Sequence, residues 1–133
     1  MTALLETQKL TKYFGETHAV DKVDFFVGQG EVLSLIGSNG AGKTSLVNLI
    51  SGLFPADSGK IFLRGVDVTH QTVQARIKAG IARSFQIVNL FDELTVLDNV
   101  ALSIFSREGK TKKLFSLADH QGGVWQEAHD ILR

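Results

Sequence analysis

The sequence has no cysteine, and only one each of proline, methionine, tryptophan and tyrosine in 133 residues. Without cysteine there is no disulfide framework and no thiolate metal site, a composition compatible with a reducing compartment. An excess of one charge sign is missing too. The 14 basic and 14 acidic side chains cancel, which removes the electrostatic case for nucleic acid or an anionic membrane surface as a general partner. No apolar run approaches the roughly 20 residues needed to span a bilayer. The start, Met1-Thr2-Ala3-Leu4-Leu5-Glu6, has no basic segment leading into an apolar one. These absences lead us to expect a cytosolic soluble chain that reaches a membrane only through a partner. His18, His70, His120 and His129 have no metal-ligand spacing and receive no role.

Glycine, by contrast, is present 13 times, and three of these residues fall within Gly37-Ser38-Asn39-Gly40-Ala41-Gly42-Lys43-Thr44-Ser45. The stretch fits the phosphate-binding pattern of Gly, four residues, Gly, Lys, then Thr or Ser. With glycine at about 7% of ordinary sequence, a chain of this length carries the pattern by accident on the order of 0.5% of the time. The chemistry explains the spacing. A loop that wraps a polyphosphate aims several backbone N–H groups at one point, and Gly37, Gly40 and Gly42 allow the turns and close approach this needs. Lys43 then reaches the β and γ phosphates, and the Thr44 hydroxyl takes one place on a Mg²⁺ bridging the same oxygens. Ser45 is next in line for the α-phosphate. A helix opening at the loop adds its N–H groups and positive dipole end.

The flanking pattern agrees with this reading. Glu31 to Ile36 is a short apolar run of the length of a buried parallel strand, and Leu46, Val47, Leu49, Ile50 and Leu53 recur at helical spacing, with Gly52 and Pro55 at the end. Leu4 to Tyr13 and Ala19 to Val27 read as strands around a turn at Phe14 to His18, and Gln29-Gly30 makes a second turn. Pro55 to Gly59 is a turn, and Lys60 to Leu63 is a strand followed by a tight turn into Val66-Asp67-Val68. Val73 to Lys78 reads as a short helix ended by Gly80, Ile81 to Gln86 as a strand, and Val96 to Phe105 as a helix with Thr95 as N-cap. Arg107 to Lys113 is a charged, glycine-containing stretch, which reads as a solvated surface or a partner-facing insertion. Trp125, Ala128, Ile131 and Leu132 begin another amphipathic helix.

Phosphoryl transfer also needs a carboxylate at the end of a second apolar strand and a group that orients the attacking water. Asp67, Asp92 and Asp98 follow turn or polar contexts, so none of them fits. The chain therefore reads as holding half an active site.

These residues resemble the nucleotide-binding subunits of ABC transporters over nearly the whole chain. Leu10-Thr11-Lys12-Tyr13-Phe14-Gly15 resembles the family's A-loop, which implies that Tyr13 stacks on adenine; by itself Tyr13 reads equally as a strand-end aromatic. Gly37 to Ser45 resembles its Walker A loop, with Ser38 where proline is common, a departure that removes no phosphate donor. Ile81-Ala82-Arg83-Ser84-Phe85-Gln86 resembles its Q-loop, which implies that Gln86 senses Mg²⁺ and the γ-phosphate near the membrane-subunit contact. Gly80 to Phe91, Leu94-Thr95-Val96 and Asp98-Asn99-Val100 are similar to the branched-chain amino acid importers.

The resemblance implies an α/β P-loop fold with an antiparallel β subdomain. Residues 1–133 would be the N-terminal part of a single nucleotide-binding domain, cut before the Leu-Ser-Gly-Gly-Gln signature, the Walker B strand, the catalytic glutamate and the switch histidine. The implied cofactors are ATP and Mg²⁺. The implied partners are integral-membrane permease subunits, a second nucleotide-binding subunit and, indirectly, a solute-binding protein, at the inner face of the cell membrane; nucleic acid is not among them. The implied activity is ATP hydrolysis coupled to import, with this stretch alone expected not to turn ATP over and to be poorly stable. Two alternatives remain open here: a nucleotide-binding regulatory module that does not hydrolyse, and another P-loop class such as a GTPase or small-molecule kinase. The guanine-reading Asn-Lys-x-Asp motif that a GTPase needs is absent.

Overall fold

The computed structural model describes residues 3–85, 90–109 and 122–133. They divide into two compact units, Met1–Ser84 and Phe85–Arg133, each with its own apolar core.

The first unit is organised on a hairpin. Strands β1 (Ala3–Phe14) and β2 (Thr17–Gly28) pair antiparallel, joined at Gly15, which takes φ 60°. The other edge of β1 pairs with β3 (Ser58–Leu63), which turns back through Arg64-Gly65 into the short β4 (Val66–Asp67). The sheet order is β2-β1-β3-β4, antiparallel at every pairing, so the expected antiparallel β portion is present. Arg64 and Gly65 have φ 49° and 78°, the two left-handed residues that match a tight turn to the twist of its strands.

β1 is irregular in its middle. Pairing to β2 shifts between Thr7 and Leu10 and again between Leu10 and Lys12, and Lys9 and Lys22 sit at φ 47° and 48°. A bulge leaves backbone groups without ladder partners. Two buried threonines supply them. The Thr7 hydroxyl accepts from Phe25 N–H at 3.1 Å and donates to Val23 C=O at 3.0 Å. Thr11 does the same between Lys22 N–H at 3.1 Å and Lys9 C=O at 3.0 Å. Gly59 faces the bulge so closely that a Cβ there would lie 2.4 Å from the Lys9 carbonyl oxygen.

Helix α1 (Lys43–Ser51) buries Leu46 and Leu49 against Leu10, Val20, Ile61, Leu63 and Val68. It ends at Gly52, φ 83°, whose N–H bonds back into the last turn. Helix α2 (Val73–Ala79) starts at Thr72, whose hydroxyl accepts from Ala75 N–H at 3.2 Å, and ends at Gly80.

Two expected strands are not strands. Glu31 to Ile36 has no regular structure and is exposed, Val32 at 93% and Ile36 at 91%. Ile81 to Phe85 is also irregular. A parallel strand is stable only when neighbours pair both its edges and cover both its faces. Among the described residues, the sheet contains only the four antiparallel strands, none of which pairs with either segment.

The second unit pairs α3 (Val96–Arg107) with α4 (Gly122–Ile131) around Ala101, Ile104, Val124 and Ala128. Thr95 caps α3 as expected, in a reciprocal box with Asp98. Arg107 makes a bidentate pair with Glu127, both contacts 2.9 Å, which raises the arginine's pKa and lowers the carboxylate's through that side-chain hydrogen bond. Of the charged stretch, Lys110 to Lys113 lies outside the described residues.

Candidate functional site: a phosphate cradle at the start of α1

Just before α1 the backbone passes twice through the left-handed region, at Gly40 (φ 84°) and Gly42 (φ 89°), where an L side chain is strained. Gly42 is needed for a second reason. A Cβ there would lie 2.0 Å from the Ala19 carbonyl oxygen, so the bare backbone at 42 docks the loop directly onto β2. Gly37 is less constrained, its virtual Cβ meeting that of Ala41 at 3.2 Å. Ala41 N–H donates to Ser38 C=O at 3.2 Å and closes the turn that carries Asn39.

Gly42 is the N-cap of α1, and no side chain caps it. The first N–H groups of a helix have no intrahelical partner, so here backbone donors and the positive end of the helix converge on one place. Lys43, the first helical residue, folds back over the loop. Its Nζ donates to the carbonyls of Gly37 and Ser38, both at 2.6 Å. A cavity of about 300 Å³ opens beside it. It is lined by Asn39, Gly40 and Gly42 to Ser45, which include the hydroxyl-bearing Thr44 and Ser45, and by Thr17, His18 and Ala19. All nine loop residues expected from the sequence are thus in one structure at one helix end.

Tyr13 lies near the end of β1, 38% exposed. Its ring meets that of His18 edge-on, with centroids 4.5 Å apart and planes at 67°. Asp57 holds this end of the strand. It accepts from Tyr13 N–H at 2.7 Å and from Lys12 Nζ at 3.2 Å, and the Tyr13 backbone bond, then Lys12, keep its carboxyl below the usual carboxylate range against a partial desolvation. Gln86, expected to act with Mg²⁺, lies outside the described residues.

The supports of α1 were not legible in the sequence. Arg76 on α2 is 2% exposed. Its guanidinium donates to the carbonyls of Leu49 (2.6 Å), Ile50 (2.8 Å) and Thr69 (2.7 Å), and its Nε to Gln71 at 3.2 Å. It therefore holds the last carbonyls of α1, and burial lowers its pKa. Arg83 donates to Asn48 Oδ1 at 2.5 Å and to Ser51 Oγ at 3.3 Å, which ties the segment after α2 to the same helix. A buried arginine whose acceptors are backbone carbonyls leaves no sequence pattern; Arg83 was visible only as part of the Q-loop resemblance.

Two of the three carboxylates set aside on sequence context have other employment. Asp67 accepts from Thr69 N–H (2.9 Å) and hydroxyl (2.6 Å), and those two hydrogen bonds lower its pKa. Asp98 completes the α3 cap. A larger concavity, about 810 Å³, lies against β1 and β2 with no residue of the loop in its lining; Glu6, Asp24 and Glu31 line it, a charge that repels a polyphosphate. Among the described residues there is no group of three or more His, Cys, Asp or Glu able to hold a metal, and no helix long and apolar enough to cross a membrane.

A glycine-rich loop opening a helix, with lysine at the first helical position and Thr-Ser after it, defines a P-loop nucleotide-binding domain. Similarity to known proteins narrows this class. The family model described as ABC transporter matches residues 20–132. The chain is 37% identical over 112 residues to the probable branched-chain amino acid transport ATP-binding protein LivG of Archaeoglobus fulgidus, covering 84% of this chain and 42% of that protein. It is 39% identical over 125 residues to the ribose import ATP-binding protein RbsA of Lacticaseibacillus paracasei, covering 94% of this chain and 24% of that one. The ADP conformation of MJ1267, an ATP-binding cassette of an ABC transporter, superposes with a TM-score of 0.70 at 37% identity, covering 78% of this chain and 41% of that one. The chain belongs to the ABC transporter ATP-binding family and has the fold of its ATPase cassettes. It spans less than half the length of these relatives.

Proposed function

We propose that this chain supplies the ATP-binding half of an importer's ATPase site. The observation that carries the reading is the loop itself: two left-handed glycines, an uncapped helix start and Lys43 beside one cavity. The two carbonyls that Lys43 now contacts are neutral acceptors. Phosphate oxygens carry net negative charge and attract an ammonium more strongly than neutral carbonyls do, so a triphosphate draws the ammonium from the loop carbonyls onto its β and γ groups. The N–H groups of the loop and first turn bind the remaining oxygens, and Tyr13 offers an exposed aromatic face for adenine. The Thr44 hydroxyl is a hard oxygen donor that fits Mg²⁺, a cation that keeps several waters and takes few protein ligands; Gln86 is the second candidate ligand. Mg²⁺, when bound, neutralises charge on the transferring phosphoryl group.

Hydrolysis needs a group to orient water; the Asp67 and Asp98 carboxylates are engaged in local hydrogen bonds, and Asp92 lies in a turn, not at the end of a strand. Residues 1–133 alone therefore bind nucleotide without turning it over, and the rest of the site comes from outside this stretch. The partners are permease subunits and a second nucleotide-binding subunit, with a solute-binding protein engaged indirectly, at the inner face of the membrane. The solute is a branched-chain or other amino acid; the LivG similarity and the stretch from Gly80 to Val100 support this, while the RbsA similarity, to a ribose importer, is comparable. Family membership sets aside a GTPase or small-molecule kinase. The test is ATP hydrolysis by the full-length protein. Lys43→Ala is expected to lower the rate at least about a hundredfold, as for loss of a principal transition-state charge contact; activity near wild type in that variant would contradict the assignment.

A further inference from the structure

We propose that His18 is a nucleotide-contacting residue, standing between Tyr13 and the phosphate loop and donating a ring N–H to the ribose or phosphate groups of a bound nucleoside triphosphate. The inference rests on the nucleotide-binding reading of the loop and adds a contact that no motif assigns.

Three observations place His18 there. It lines the same cavity as Lys43, Thr44 and Ser45. Its ring is edge-on to Tyr13 at 4.5 Å, so one side chain touches both the aromatic offered to the base and the space beside the cradle. Its place is also fixed by backbone, because the next residue, Ala19, presents the carbonyl against which Gly42 packs. The hairpin therefore cannot shift its tip without moving the phosphate loop. A base on Tyr13 and a triphosphate on Lys43 are joined by a ribose, and His18 both meets the Tyr13 ring and lines the cavity beside Lys43.

The chemistry suits the position. The Nδ1 atom faces the Asp21 carboxylate at 3.8 Å, which leaves Nε2 as the nitrogen for a ligand. The side chain is 59% exposed, so its removal opens no core cavity and binding is the property it governs.

The test is titration of the full-length protein with MgATP in wild type, His18→Ala and His18→Phe. Phenylalanine keeps the edge-on contact with Tyr13 and loses the ring N–H. Both variants are expected to bind about five- to tenfold more weakly, the loss of one hydrogen bond to a charged or polar ligand group, with unchanged melting of the nucleotide-free protein. Wild-type affinity in His18→Phe would reduce the residue to a prop for Tyr13 and overturn the proposal, as would wild-type affinity in His18→Ala. A drop in melting temperature that accompanies the weaker binding would assign the loss to the hairpin and overturn it too. A folded wild type that binds no MgATP would instead overturn the nucleotide reading itself.

Discussion

At the scale of single residues, the cradle turns on what a Cβ would meet. Gly40 and Gly42 share nearly the same φ, 84° and 89°, yet a Cβ at Gly40 finds nothing within 4 Å while one at Gly42 would lie 2.0 Å from the Ala19 oxygen. Gly40→Ala then carries only left-handed strain, about 1–2 kcal/mol. Gly42→Ala carries that strain and must also push the loop off β2. In the full-length protein, Gly42→Ala is expected to weaken MgATP binding at least about tenfold more than Gly40→Ala. Calorimetric titration of both variants checks this, and equal losses would contradict the docking of the loop on Ala19. The loop built on these glycines, with Lys43 and Thr44 opening the helix, was legible in the sequence because the phosphate-binding pattern sets particular residue types at fixed spacing. His18 was not, since its placement depends on a strand register and a ring contact that spacing does not encode.

At the scale of elements, α1 is the helix that both ends of the site depend on. Its start carries the glycine loop and Lys43, and its finish is held by Gly52, Arg76 and Arg83. The α1 acceptors of Arg76 lie 26 and 27 residues away in sequence and are backbone atoms, which is why no periodicity or motif announced them. Arg76→Met fills much of the same volume but strands buried carbonyls of α1. It is expected to destabilise the full-length protein by about 3 kcal/mol, the scale of buried hydrogen bonds to a charged donor, read as a lower urea midpoint; an unchanged midpoint would show that α1 does not need the clamp. The hairpin, β3, α2 and α3 were all legible from alternation, helical spacing and caps. Glu31 to Ile36 was read as a buried strand from its apolar run, and its composition is that of one. What the run alone did not convey is that a strand is a pairing, and no partner strand lies among the described residues.

At the scale of the whole molecule, that missing pairing leaves large apolar side chains in water. Val32 and Ile36 are the extremes, and Leu33, Leu35, Phe85, Leu90 and Phe91 are exposed as well. Exposed apolar segments of this kind associate. A polypeptide of residues 1–133 is therefore expected to bind a hydrophobic dye and to melt without a sharp transition; a cooperative calorimetric peak from a monomer would argue against this. The span of less than half the relatives' length points the same way.

The most direct measurement is calorimetric titration of the full-length protein with MgATP, with MgGTP as competitor and Lys43→Ala as the paired variant. The account predicts saturable 1:1 binding of ATP, weak competition by GTP, and loss of binding in Lys43→Ala while the fold is retained. Binding unaffected by Lys43→Ala, or strong preference for GTP, would contradict the assignment of residues 37–45 as an ATP cradle.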